Sequence, residues 1–144
     1  MNYVFHQHYS ISPNTFTPNA DFRPVVLLAE SNPETMAMYA RHLNGDDVSV
    51  CVCVDMSQVH RHVSVIKPHV LILNPSPDFR LSFDIVKKSI AAHPQLSVIT
   101  VGDFIPDKYL DKLMSLGVSL HIKRSLSQPR DLVAAVRQVL TKVL

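Results

Sequence analysis

Val70-Leu71-Ile72-Leu73-Asn74-Pro75-Ser76-Pro77 is the stretch that decides how this chain is read. Four apolar residues run into a polar turn broken twice by proline. An unbroken apolar run, rather than an alternating one, marks a strand buried on both faces of a parallel sheet. In open α/β sheets, ligands and chemistry sit just past the carboxyl ends of the strands. The residue standing at that point is Asn74.

The pattern on either side of this strand repeats. Val25–Leu28 is a short apolar run, and Asn32-Pro33 after it opens a helix, with Asn as N-cap and Pro at the first helical position. Met36, Tyr39, Ala40 and Leu43 fall on one face of that helix, which Asn44-Gly45 ends. Val48–Val54 reads as a second strand. Ser57 is expected to cap a helix with Val59, Val63 and Ile66 on one side, and Pro68 stops it. After the decisive strand, 81–93 reads as a helix with Phe83, Val86 and Ile90 inward. Val98–Val101 is a fourth strand. Pro106–Leu116 is a helix with Leu110, Leu113 and Met114 inward, ended by Gly117. Val118–Ile122 is a fifth strand. Ser127 is expected to cap a last helix striped by Leu132, Val136, Val139, Leu140 and Val143. Five short strands alternating with five helices predict an α/β fold. It is a five-stranded parallel sheet of flavodoxin-like order 2-1-3-4-5, with helices on both faces.

Composition narrows the function classes. Hydrophobic residues make up 47% and charged residues 18% of 144 residues, which is enough for one cored domain. The formal charge of +2 gives no electrostatic case for nucleic acid or an anionic membrane. No apolar run approaches the roughly 18 residues that span a bilayer. The start, Met1–His6, lacks the features of a signal peptide, so a cytoplasmic location is expected. Cys51 and Cys53, two apart in a strand, share a face and are read as reduced, buried, structural thiols. Residues 1–22, polar with scattered aromatics, are read as an extension outside the domain at 23–144. The extension is either a flexible tail or a docking arm that buries Tyr3, Phe5, Tyr9 and Phe16. His60 and His62 do not face together on a helix, and the other histidines are scattered, so no metal site is expected.

In element order and spacing, residues 23–144 resemble a response-regulator receiver domain of the CheY-like type. Leu27–Pro33 resembles the family's first strand with its acidic pair and Asn-Pro. Val70–Asn74 resembles the strand leading to the phosphoacceptor aspartate. Gly117–Leu126 resembles the last glycine, the fifth strand and the lysine-proline segment. The resemblance also shows departures. The acidic pair becomes Glu30 and Ser31, and the phosphoacceptor position is Asn74. The switch Thr or Ser position is Gly102, and the lysine position is Arg124, with Lys123 one place before it. The aromatic switch position is His121.

Phosphoryl transfer to the protein needs a nucleophilic oxygen, and a carboxamide is a poor one. It also needs a divalent cation, and Mg²⁺ prefers carboxylates and water. The expectation is therefore a degenerate receiver: not an enzyme, without catalytic residues and without Mg²⁺ or another cofactor. Arg124 is read as a candidate internal partner for the lone Glu30. The plainer alternatives are that Ser31 and Asn32 only cap a helix, Gly102 only makes a turn and Asn74 only satisfies loop backbone.

The resemblance implies work by protein–protein contact in signalling or assembly, with a partner protein or as a homodimer. The implied face is formed by the fourth helix, fifth strand and fifth helix, with Lys108, Tyr109, Lys112, His121, Arg130 and Arg137 as its exposed residues. No output domain is expected after Leu144. The rival readings are a phosphoacceptor at Asp78, Asp103 or Ser76, and a phosphate or small ligand held in the strand-end cleft near Arg124.

Overall fold

The structure, a computed structural model, describes residues 4–6, 22–45, 47–75 and 77–143. The apolar runs become strands β2 (Val25–Ala29), β3 (Ser49–Cys53), β4 (Val70–Leu73), β5 (Ser97–Val101) and β6 (Val118–Ile122). The amphipathic stretches become α1 (Pro33–Leu43), α2 (Val59–Ile66), α3 (Phe79–Ala92), α4 (Asp107–Leu116) and α5 (Pro129–Val143). Strand β1 (Val4–His6) precedes them.

The sheet order is β1-β3-β2-β4-β5-β6. Its five strands from β2 onward are parallel and follow the expected 2-1-3-4-5 order. β4 is the central strand, between β2 and β5, and none of its four residues is more than 2% exposed. Alternation along it feeds two cores. Val70 and Ile72 face Tyr39, Leu43, Leu132 and Val136 of α1 and α5. Leu71 and Leu73 face Val59, Val63, Ile85, Val86 and Leu113 of α2, α3 and α4. Burial of each such side chain stabilises the fold by about 1.5–3 kcal/mol, which is why the run contains no polar break. Cys51 and Cys53 are buried thiols, not joined in a disulfide, on the same side as Leu27 and Ala29.

Residues 4–6, within the stretch read as a flexible tail or a docking arm, add an antiparallel strand to β3 with Val4 opposite Cys53 and His6 opposite Cys51. In a five-strand sheet β3 would be an open edge with unpaired backbone groups, and β1 covers them. Tyr3, Tyr9 and Phe16 lie outside the described residues. Ser57 is not a helix cap. Asp55 takes that role, its Oδ1 accepting from Ser57 N at 2.9 Å and Ser57 Oγ at 2.6 Å to start a 3₁₀ turn (Met56–Gln58) ahead of α2. Ser127 does not cap α5 either: its hydroxyl donates to Arg124 O, and the Asp131 carboxylate accepts from Gln128 N at 2.6 Å. Met114 is 43% exposed. The stripe of α4 is rotated through Tyr109, Leu113 and Leu116 toward α3, one step of the helix away from Met114.

Candidate functional site

The sheet brings the ends of β2, β4, β5 and β6 to one edge. Glu30 follows β2 directly, and its backbone N–H donates to Cys53 O at 3.1 Å, which fixes it against β3. The residue is 4% exposed. Its carboxylate is fully engaged by donors. Oε2 accepts from Asn32 N at 3.1 Å, while Oε1 accepts from Asn74 Nδ2 at 3.4 Å and Arg124 Nη2 at 3.3 Å. A buried carboxylate is tolerable only when it is paired and hydrogen-bonded, and Arg124 supplies the charge. The guanidinium arrives from the 3₁₀ turn after β6 (Arg124–Leu126), with its Cζ 5.8 Å from the Tyr39 ring centroid on α1.

Gly102 closes the group from β5. A Cβ built on it would lie 3.0 Å from Asn74 Oδ1, tighter than ordinary contact. The absence of a side chain at Gly102 and the presence of the amide at Asn74 are thus one steric arrangement. A Thr or Ser at 102 needs Asn74 to move.

Glu30, Asn74, Gly102 and Arg124 come together; Ser31 and Lys123 do not. Both are exposed. Asn32, not Ser31, caps α1, its Oδ1 accepting from Thr35 N at 2.9 Å. The other carboxylates of this edge hold backbone. Asp78 Oδ1 accepts from Leu81 N at 3.0 Å as the cap of α3. Asp103 Oδ1 accepts from Ser125 N at 2.9 Å and ties the β5–α4 loop to the β6–α5 loop. That hydrogen bond, with smaller contributions from the Ser125 hydroxyl and the Arg124 and Lys123 charges, holds the Asp103 carboxyl below its ordinary range. Ser76 lies outside the described residues. Glu30 Oε1 faces the Asn74 amide N–H and the Arg124 guanidinium, and the described residues contain no cluster of three or more His, Cys, Asp or Glu able to hold a metal.

The six residues expected on one interaction face are dispersed. His121 is turned inward. A bulge at Ser119 sets it opposite Thr100, and its Nδ1 lies 2.8 Å from the wholly buried Thr100 Oγ1. Burial pushes the imidazole below its ordinary pKa. Arg137 pairs with Asp47 at 3.1 Å, on the α1 side of α5 and away from α4. Arg130 is exposed at the start of α5. Lys108, Tyr109 and Lys112 do stay together, but they face α3. With Phe79, Arg80 and Phe83 they line a cleft of about 680 Å³. The contribution of α3 to this cleft was missed in the sequence. The signal was present as two pairs at i, i+4 spacing, Phe79 with Phe83 and Lys108 with Lys112, which only the packing of α3 on α4 brings together.

No helix among the described residues is long and apolar enough to cross a membrane. No protein-family model matches the chain, and no curated protein sequence does. Solved structures match it across most of its length. A CheY-like response-regulator receiver domain protein from Methanospirillum hungatei JF-1 superposes with a TM-score of 0.77 at 13% identity, covering 85% of this chain and 97% of that one. A chemotaxis protein of the CheY type from Vibrio cholerae gives 0.72 at 12% identity, covering 82% and 99%. A Burkholderia thailandensis E264 protein described as a candidate pilus assembly protein, CpaE, gives 0.70 at 20% identity, covering 82% and 98%. The chain has the CheY-like, flavodoxin-like fold that receiver domains share.

Proposed function

We propose that this chain is a receiver-like module that is not phosphorylated at Asn74 and that acts in signalling or assembly through protein contact, without catalysis or a metal cofactor. The observation that carries the reading is the closed arrangement of Asn74, Glu30 and Arg124. Asn74 offers a carboxamide where phosphoryl transfer needs a carboxylate nucleophile. The one remaining acid is neutralised from within by Arg124 at 3.3 Å, so the positive charge beside it comes from the protein itself. Gly102 supplies no hydroxyl to follow a phosphate, and a Cβ there would press on Asn74. The alternative acceptors Asp78 and Asp103 are engaged as hydrogen-bond acceptors for backbone N–H groups, which weighs against them as nucleophiles. The assembly side of the reading draws on the pilus-assembly description of one similar structure, the signalling side on the receiver descriptions of others. A cytoplasmic location goes with both.

The test is intact-mass measurement after incubation with a small phosphodonor and Mg²⁺, run beside an ordinary receiver. The expected result is no mass gain in this chain. A phosphoryl gain on any residue refutes the reading in favour of an unusual acceptor, and peptide mapping then names it.

A further inference from the structure

The cleft between α3 and α4 has a chemistry that the strand-end site does not use. Its floor is aromatic. Phe79 stacks on Tyr109 with centroids 4.9 Å apart and planes 22° apart, and Phe83 leans on the same ring at 5.8 Å. Its rim is cationic. Lys108 Nζ lies 5.1 Å from the Tyr109 centroid and Lys112 Nζ 5.0 Å from the Phe83 centroid, so both ammonium groups are held at the ring faces. Arg80 adds a third cation, and a second hollow of about 440 Å³ continues along the helices past Arg80 and Phe83 to Lys87. The carboxylates that line these hollows are already engaged: Asp78 caps α3, and Asp84 pairs with Lys88 at 3.0 Å; Asp107 and Asp111 of α4 are not among the lining residues. Arg80, Lys87, Lys108 and Lys112 form no ion pair among the described residues.

We propose that this groove is the docking site for an acidic segment of a partner protein that carries an aromatic or branched apolar anchor. The inference rests on the reading of the chain as an interaction module and names the surface and its partner chemistry. Charge complementarity selects the occupant. Residues 1–21 of this chain contain a single acid, Asp21, and so do not match four cations. A second copy does not match either: the chain's longest acidic run is Asp46-Asp47, and Asp47 is paired with Arg137. Nucleic acid is disfavoured because the ring faces that would stack on bases are covered by one another and by the lysines. Ring edges and preplaced ammonium groups remain, which suit an apolar side chain flanked by carboxylates. Preplacement lowers the ordering cost of binding.

The experiment uses the full chain, ¹⁵N-labelled, and four probes. These are a short fluorescent peptide of Asp, Glu, Ser and Gly with a central Phe-Leu; the same peptide with Lys for each acid; the same with Ala-Ala for Phe-Leu; and single-stranded oligothymidine. The expected result is binding of the first peptide only, weakening with added salt, with amide shifts confined to 79–87 and 108–116. Arg80→Glu and Lys112→Glu, both at exposed positions, each weaken it about tenfold while the thermal midpoint holds. No binding, shifts centred elsewhere, or a preference for oligothymidine overturns the groove proposal. The phosphodonor experiment is run on the same sample. If the peptide fails and the mass stays unchanged, the groove falls and the module reading stands. If the chain gains a phosphoryl group, the module reading falls whatever the peptide does.

Discussion

Replacing Asn74 with Asp restores the residue that phosphorylation chemistry requires, and the structure predicts that it harms the fold without restoring the chemistry. Asn74 Nδ2 donates to Glu30 Oε1 at 3.4 Å. An aspartate sets an oxygen, bearing charge, where that donor stood. Two like unit charges at this separation repel by roughly 5 kcal/mol at an effective dielectric of about 20. Arg124 attracts the new charge and offsets part of this, and water reaches the site because the Arg124 side chain is 35% exposed. A net loss of about 2–3 kcal/mol is expected once the donor–acceptor contact is also lost. For a domain of this size that lowers the thermal midpoint by about 5–10 °C. Millimolar Mg²⁺ should raise the midpoint of the variant, since two carboxylates now face one another, and leave the parent unmoved. Treatment with a phosphodonor should still add no mass, because Ser31 and Gly102 supply neither the second acid nor the hydroxyl. A variant as stable as the parent refutes the described contact with Glu30. A variant that accepts a phosphoryl group shows that Asn74 alone blocks the chemistry and that the other departures are incidental.

Arg124→Met strips the cation from a buried carboxylate and should cost about 1–3 kcal/mol in chemical denaturation, less than for a fully buried pair because Arg124 is partly exposed. Adding Glu30→Gln to it should recover about 1 kcal/mol or more, and a purely additive double variant rules out coupling. Gly102→Ser should cost about 1–2 kcal/mol through the 3.0 Å approach to Asn74, and that cost should shrink in an Asn74→Ala background. Desolvation pushes both the Cys51 and Cys53 thiols up to about 11. They should therefore resist thiol reagents at pH 8 until the chain unfolds. The unfolded thiols ionise first, so this contribution to stability is complete below about pH 9 and is lost as pH rises toward 11. Rapid labelling of the folded protein at pH 8 contradicts this.

What the sequence made legible followed from local pattern. The apolar runs and the 3.6-residue stripes located β2 to β6 and the five helices, and the βαβ rule then restricted their order. The pairing of Glu30 with Arg124 was reachable because both positions follow strands whose ends that order brings together. The features that escaped depend on geometry between elements. β1 is three residues long, too short for any period, and it forms because β3 has an edge to cover. The inward turn of His121 depends on a one-residue bulge at Ser119, which no propensity announces. The spread of Lys112 and Arg137 onto different surfaces depends on how far α4 and α5 are rotated about their own axes. Burial of one stripe fixes that angle only coarsely.

The same inward features bear on how such a module would operate. A phosphorylation switch works because two conformations differ in free energy and the phosphoryl group binds one of them better. Here each place from which such a difference would arise is held within the protein. The Glu30 carboxylate is neutralised by Arg124, Asn74 is bonded to Glu30 and crowds Gly102, and His121 sits 2.8 Å from a buried threonine hydroxyl. A ligand shifts a population only through a differential affinity for its members. Under the proposed function, then, the surface seen by a partner is constant, and occupancy is set by partner concentration and affinity alone. Partner affinity should be the same with and without phosphodonor and Mg²⁺, whereas an ordinary receiver's affinity changes under the same treatment.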